Sequence, residues 1–181
     1  MSSFPKHEVT SHNANAAAQL QSVQAQYGFV PDLFKYMAEA PTTVEAYMEL
    51  TRLLGQSSLS AAQAQVIQLA LSIDNDCNFC RTAHVAMGKH FKANAQTINA
   101  LLDASNIEDA KDAALIKLAR SIQAKRGWLD NSELEDFYAA GFGHQQVLEV
   151  ILCVTIKTLS NYSNHLTQPE ANPELVAMAN A

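Results

Sequence analysis

The stretch that decides the fold is Gln65-Val66-Ile67-Gln68-Leu69-Ala70-Leu71-Ser72-Ile73-Asp74-Asn75-Asp76-Cys77-Asn78-Phe79-Cys80-Arg81-Thr82-Ala83-His84. Its first half carries Val66, Ile67, Leu69, Ala70 and Ile73 at helical spacing, which predicts a largely buried helix with Ser60 placed to cap it. Its second half is a Cys-x-x-Cys with a histidine four residues beyond the second cysteine. Residues three and four apart share one face of a helix, so Cys77, Cys80 and His84 line a single stripe. Cα atoms three residues apart on a helix lie roughly 5 Å from each other, within the span a disulfide tolerates. Asn75 or Asp76 is placed to cap this second helix, which sets the thiols near the positive end of its dipole, where thiolates are stabilised. His84, one turn beyond Cys80, is positioned to polarise its thiol. A vicinal dithiol with its own base is a redox pattern.

Other uses of these residues carry different requirements. Two cysteines can serve as small buried apolar groups, but burial alone does not ask for this spacing. A structural zinc needs four ligands, and a fourth would have to come from elsewhere in the chain, where the remaining cysteine is Cys153. A c-type haem needs histidine directly after the second cysteine, and that position is Arg81. A thioredoxin arrangement needs a βαβ context, and the rest of the chain reads as helix throughout.

Outward from the motif, proline and glycine are rare and apolar residues recur at helical spacing. Ala14–Tyr27 is rich in alanine and glutamine and favours a helix. Pro31 opens a short helix to Ala38, and Pro41 and Thr42 open another that stops near Gly55. The cysteine helix is expected from Cys77 to about His90, followed by Asn94–Ala104 and Ile107–Lys125, the latter broken by Gly127. Asn131 or Ser132 caps a short helix to Ala140, with Gly141 and Gly143 beyond it. His144–Leu166 is the longest run, rich in β-branched residues but too long for a strand. The expected fold is all-α, a single multi-helix domain. A slide of 81 residues sets Gln65 on Gln146, Leu71 on Leu152, Cys80 on Asn161 and His84 on His165, the pattern of a degenerate internal duplication whose second copy lacks the thiols.

The chain has 181 residues, enough to bury a proper core without disulfide staples. Net charge is −6, from 18 acidic and 12 basic residues, with no basic stripe, so nucleic acid is not an expected partner. No apolar run approaches a membrane span, and the first twenty residues do not read as a signal sequence. Three cysteines, two of them vicinal, suit a reducing compartment, and the cytoplasm is the expected location.

Taken together, Leu59-Ser60, Gln65, the apolar run and Cys77-x-x-Cys80-x-x-x-His84 resemble the carboxymuconolactone decarboxylase superfamily, and more narrowly its alkylhydroperoxidase D (AhpD) branch. Gly28-Phe29-Val30-Pro31-Asp32-Leu33-Phe34, Ala140-Gly141-Phe142 and Asn161-Tyr162-Ser163-Asn164-His165 extend the likeness to the peroxidase-related subgroup over roughly residues 28–169. The resemblance implies a helical homo-oligomer, commonly a trimer or hexamer, that reduces small organic hydroperoxides and needs no cofactor or metal. It implies that Cys80 attacks the peroxide and that Cys77 resolves the sulfenic acid into a Cys77–Cys80 disulfide. It also implies that His84 belongs to the proton relay and that an external dithiol, often a lipoyl protein, reduces the disulfide. The family's relay usually includes a glutamate twelve residues before the first cysteine, and here that residue is Gln65. An amide can orient a histidine but cannot carry a proton away. Glu149, aligned with Gln68 by the 81-residue slide, is the candidate for a replacement carboxylate.

The remaining polar residues carry lesser expectations. His165, Asn161 and Asn164 either line a cleft near the cysteine helix or satisfy buried backbone. Cys153 belongs to the core, Trp128 plugs a helix junction, and His90 and His144 sit near helix ends. Two rival functions remain open. A lyase acting on a small lactone acid, as in carboxymuconolactone decarboxylation, has no need of a dithiol and would need cationic anchors, of which Arg81 is the one near the motif. A non-enzymatic redox sensor would use the disulfide only to change assembly.

Overall fold

A computed structural model describes residues 3–181, and within these the chain folds into ten helices and no strand. They are α1 (Ala14–Tyr27), α2 (Asp32–Met37), α3 (Pro41–Leu54), α4 (Ala61–Asp74), α5 (Asn78–His90), α6 (Ala95–Leu102), α7 (Ala110–Lys125), α8 (Asn131–Ala139), α9 (His144–Thr167) and α10 (Pro173–Asn180). The ends follow local chemistry. Asn13 accepts a hydrogen bond from the Ala16 amide at the start of α1, and Gly28 closes that helix in the left-handed region, with φ at 80°. Ser60 and Gln63 form a reciprocal capping box on α4. Asp109 caps α7, so that helix begins three residues after Ile107, where the sequence pattern places it. Asp130, paired with Glu133, caps α8 in place of Asn131 or Ser132. The helix α10 is absent from the periodicity reading; Pro173 occupies its first turn and Leu175 is its one buried residue.

The helix α4 is the centre of the molecule. It packs against α5 and α6 in one direction and against α7 and α9 in another. Ile67 and Leu71 face the cluster built with Leu115, Leu118, Phe137, Val150 and Ile156, while Val66, Leu69 and Ala70 face Val85, Ile98 and Ile116. A helix apolar on every side must be sheathed by neighbours, which is what the five-residue apolar pattern implies. Ile67→Ala would cost about 2–5 kcal/mol at so enclosed a position. A third cluster joins α1, α2, α3 and the start of α5, and it includes Cys77, Phe79 and Cys80. The thiols therefore sit in an apolar wall.

Trp128 does not plug a junction; it is 87% exposed. The neighbouring Leu129 packs against the core instead, because Gly127 (φ 84°) turns the chain between α7 and α8. The two segments related by the 81-residue slide are built differently. Residues 65–84 span α4, a turn and the start of α5, whereas residues 146–165 lie within the single helix α9. No single helix is long and apolar enough to cross a membrane among the described residues.

Candidate functional site

The turn between α4 and α5 sets the site. Asn75 ends α4, and its side-chain amide donates to Gln123 Oε1 at 3.0 Å and Asn161 Oδ1 at 2.9 Å. Asp76 takes a left-handed conformation, with φ at 52°. Neither caps the cysteine helix. Both are consumed in turning the chain, and Cys77 itself occupies the N-cap position of α5 without a side-chain cap bond. The Cys77 carbonyl accepts from the Arg81 amide at 2.9 Å, so Cys80 lies in the first helical turn. The expected placement at the positive helix end holds, one residue out of the expected register.

Cys77, Cys80 and His84 are all buried, and all three cysteines are free thiols. His84 Nδ1 lies 2.8 Å from Gln65 Oε1. His84 Nε2 lies 2.8 Å from Nζ of Lys157, a residue of α9 with no exposed surface. Since an ammonium can only donate, Nε2 must accept, so Nδ1 carries the proton and donates it to Gln65. Burial, reinforced by the Lys157 charge, pushes His84 well below the ordinary histidine range, so the imidazole is neutral.

Cys80 is held well below the usual thiol range. The hydrogen bond from Cys77 acts first; burial opposes it; the charge of Lys157 and its hydrogen bond to the sulfur then favour the thiolate, as does Ser160. Cys77 is pushed up, chiefly because its S–H donates to Cys80, and further by burial and the nearby negative charge. The pair is thus one thiolate and one thiol, with the thiolate on Cys80. Asn164 Nδ2 donates to Cys80 Sγ at 3.1 Å and lies 3.6 Å from Cys77 Sγ. Its Oδ1 is buried without a hydrogen-bond partner among the described residues. Asn164 and Cys77 also border a cavity of about 370 Å³ that is lined further by Asp76, Asn78, His165 and Gln168.

The structure thus brings together Cys77, Cys80, His84 and Gln65. It does not bring Glu149 to them. That carboxylate accepts from the Ser58 amide at 2.9 Å, the Ser58 hydroxyl at 2.6 Å and Gln145 Nε2 at 2.9 Å, two helical turns from Lys157 along α9. Asn161 serves the α4–α5 turn, Asn164 serves the thiols, and exposed His165 stacks on Tyr162. Cys153 is fully buried and its thiol is pushed up to about 12 by burial. Lys157 is the residue that the sequence reading missed. It is the only lysine or arginine in the 24 residues of α9, following the stretch Val150–Ile156, apolar save for Thr155. Among the described residues, no three His, Cys, Asp or Glu side chains converge to hold a metal. Both nitrogens of His84 are already engaged, by Gln65 and Lys157, which removes it as a ligand.

Residues 38–124 match the model of the carboxymuconolactone decarboxylase family. The match spans a little under half of the chain, and the fold of the whole is that of the AhpD-like proteins. Among solved structures it is similar to a peroxidase-related protein with an alkylhydroperoxidase AhpD core from Ralstonia eutropha JMP134, at 19% identity and a TM-score of 0.85, covering 99% of this chain and 97% of that one. It is similar also to a peroxidase-related protein from Silicibacter sp. TM1040, at 18% identity and a TM-score of 0.80, covering 99% of both chains. The debrominase Bmp8, solved in complex with 2,3,4-tribromopyrrole, shares the fold at 13% identity and a TM-score of 0.78, covering 99% of this chain and 97% of that one. No curated protein matches the sequence.

Proposed function

We propose that this protein is a thiol peroxidase that reduces small organic hydroperoxides through a Cys77–Cys80 dithiol/disulfide cycle. The observation that carries the reading is the asymmetry of the pair: a thiolate on Cys80, held by Cys77, Lys157 and Asn164, beside a protonated Cys77. The Cys80 thiolate attacks the terminal oxygen of ROOH, the O–O bond breaks, and Cys80 becomes a sulfenic acid as the alcohol leaves. Cys77 condenses with that sulfenic acid, releasing water and forming the disulfide. The orphaned Asn164 Oδ1 is an acceptor for the hydroperoxide O–H next to the sulfurs. An external dithiol, such as a reduced (dihydrolipoyl) group, then attacks the disulfide at Cys77, the sulfur that borders the cavity, and leaves as its own disulfide.

His84 acts on Cys80 through Lys157 in this reading and is not itself the base, because its Nε2 faces the ammonium. The uncharged exposed face of α9 (Leu148, Ile151, Thr155, Thr158, Tyr162 and Leu166, spaced by threes and fours) is the seam of a homo-oligomer. A lyase has no use for the thiolate–thiol pair, which leaves redox chemistry as the reading for both cysteines. The test is a free-thiol titration before and after one equivalent of cumene hydroperoxide, with peptide mapping of the product. Loss of two thiols with a Cys77–Cys80 bridge is expected, and unchanged thiols would refute the peroxidase.

A further inference from the structure

Lys157 is an unusual group to bury. It has no exposed surface, it projects from α9 into the gap beside α5, and among the described residues no carboxylate pairs with it. An ammonium removed from water needs a counter-charge or it becomes very costly. The titratable groups facing it are few. From α5 they are Cys80, with Cys77 bonded to it, and the neutral His84; Tyr47 of α3 neighbours Cys80 and is held protonated by burial; on α9 itself Cys153 lies one turn away, with Glu149 one turn further and tied to Ser58. Among these groups the Cys80 thiolate is the one negative charge that the Lys157 ammonium favours.

That pairing has a consequence for the reaction, and it rests on the dithiol peroxidase reading above. The thiolate disappears when the cysteines are oxidised, and the ammonium then stands in an apolar wall beside a neutral imidazole. We infer that Lys157 is the acid and base of the cycle: its ammonium gives a proton to the departing alkoxide, and the neutral amine persists while the disulfide exists. In the first step the Cys80 thiolate, the Lys157 ammonium and ROOH become the Cys80 sulfenic acid, the Lys157 amine and ROH. In the second, Cys77 S–H and the sulfenic acid form the disulfide and water. An external dithiol then returns two electrons and two protons, one to Cys77 and one to Lys157, and leaves Cys80 as thiolate. Every proton is accounted for without a carboxylate, which explains how an amide is tolerated at position 65. His84 is a positioning residue here, holding Nζ against the sulfur through Nε2.

Two measurements on the reduced protein test this. Absorbance near 240 nm against pH reads the Cys80 thiolate, and an indicator dye in weak buffer reads protons taken up during a single turnover with cumene hydroperoxide at pH 7. The expected result is a thiolate at pH 7 and no net proton uptake per disulfide formed, because Lys157 supplies the proton. Uptake of one proton per disulfide would mean that Lys157 keeps its charge, and would overturn the inference while leaving the peroxidase reading intact. Absence of any disulfide would overturn the peroxidase reading and this inference with it. Lys157→Met, an apolar residue of similar length, should lose the thiolate absorbance at pH 7 and slow oxidation by about 100-fold or more. A folded Lys157→Met protein with the wild-type pH profile would also refute the role. The proton count needs no variant, so it stands even if that substitution unfolds the chain.

Discussion

A Gln65→Glu substitution adds one negative charge at the far end of the contacts that run from Gln65 through His84 and Lys157 to Cys80. The new carboxylate could act in two ways. It could hold a second proton on His84, as an acid–imidazole relay requires. The resulting Nε2–H would then face the Lys157 ammonium, whose Nζ lies 2.8 Å away. At an effective dielectric of about 20, repulsion between the two cations is of the same size as the attraction to the introduced carboxylate, roughly 5 kcal/mol each, and the hydrogen bond from Lys157 is lost besides. His84 therefore stays neutral, and the carboxylate acts as a bare negative charge. Two contacts of 2.8 Å with an imidazole ring between them set it roughly 8 Å from Lys157 Nζ, with the Cys80 sulfur beyond, roughly 11 Å along this path. At that distance like-charge repulsion is about 1.5 kcal/mol, which raises the Cys80 pKa by about 1. Cys80 is reactive above its depressed pKa and loses reactivity as pH falls through it, so the acid limb of the single-turnover oxidation profile should move up by that amount. The alkaline plateau should not move. Stopped-flow oxidation by cumene hydroperoxide measures this without interference from the reductant. A shift toward lower pH would refute the reasoning, since it would show that an imidazolium forms despite Lys157.

Further outcomes are expected from the same site. Stoichiometric peroxide should bridge Cys77 to Cys80 and leave Cys153 reduced, because that thiol is fully buried and pushed up to about 12; peptide mapping that finds Cys153 in the first disulfide would contradict the assignment. Cys80→Ser should abolish peroxide consumption, while Cys77→Ser should permit one stoichiometric reaction and then stop; a sulfenic acid trapped on Cys77 in the Cys80→Ser protein would exchange the roles. Light scattering at micromolar concentration should give a homo-oligomer, and paired Leu148→Glu and Ile151→Glu substitutions, both on exposed positions of α9, should shift it toward monomer. A wild-type monomer would remove α9 as a seam.

Most of this architecture is local in origin, and that is why it could be read. Helix α1 is legible to the residue because an asparagine cap and a glycine end flank a helix-forming run. The capping box of Ser60 and Gln63, the burial of α4 and the facing of Cys80 and His84 all follow from spacings of three and four. The errors are also local. At the start of α5, Asn75 has a tertiary partner in Asn161 that outcompetes capping; at α7 the Asp109 cap starts the helix later than the apolar pattern does, and at α8 Asp130 displaces the cap expected from the sequence. What no local pattern holds is the crossing of α9 over α5. Lys157 meets His84 across a separation of 73 positions, and only packing sets that contact. Its single visible trace is a lone cation after a run that is apolar save for Thr155.

That missed contact changes how position 65 should be read. Taken from the motif alone, Gln65 looks like a defect in a relay that needs a carboxylate, and Glu149 becomes the substitute to look for. Glu149 is instead held by Ser58 and Gln145 at the far end of the helix. With Lys157 in place the site already contains one cation and one thiolate, so its buried charge sums to zero with an amide at position 65. A carboxylate there would leave the pocket with an uncompensated negative charge next to the sulfur that must stay ionised, and buried charges are tolerated only in balance. The two residues are therefore coupled. Gln65→Glu should be harmful in the wild-type background and become favourable only once Lys157 has been replaced by an apolar residue, where a carboxylate and an imidazolium can again share the proton. A double-mutant cycle on the thiolate pKa measures this directly. Additive effects of Gln65→Glu and Lys157→Met would show that the ammonium and the amide are independent, and would separate the charge balance of this site from its proton chemistry.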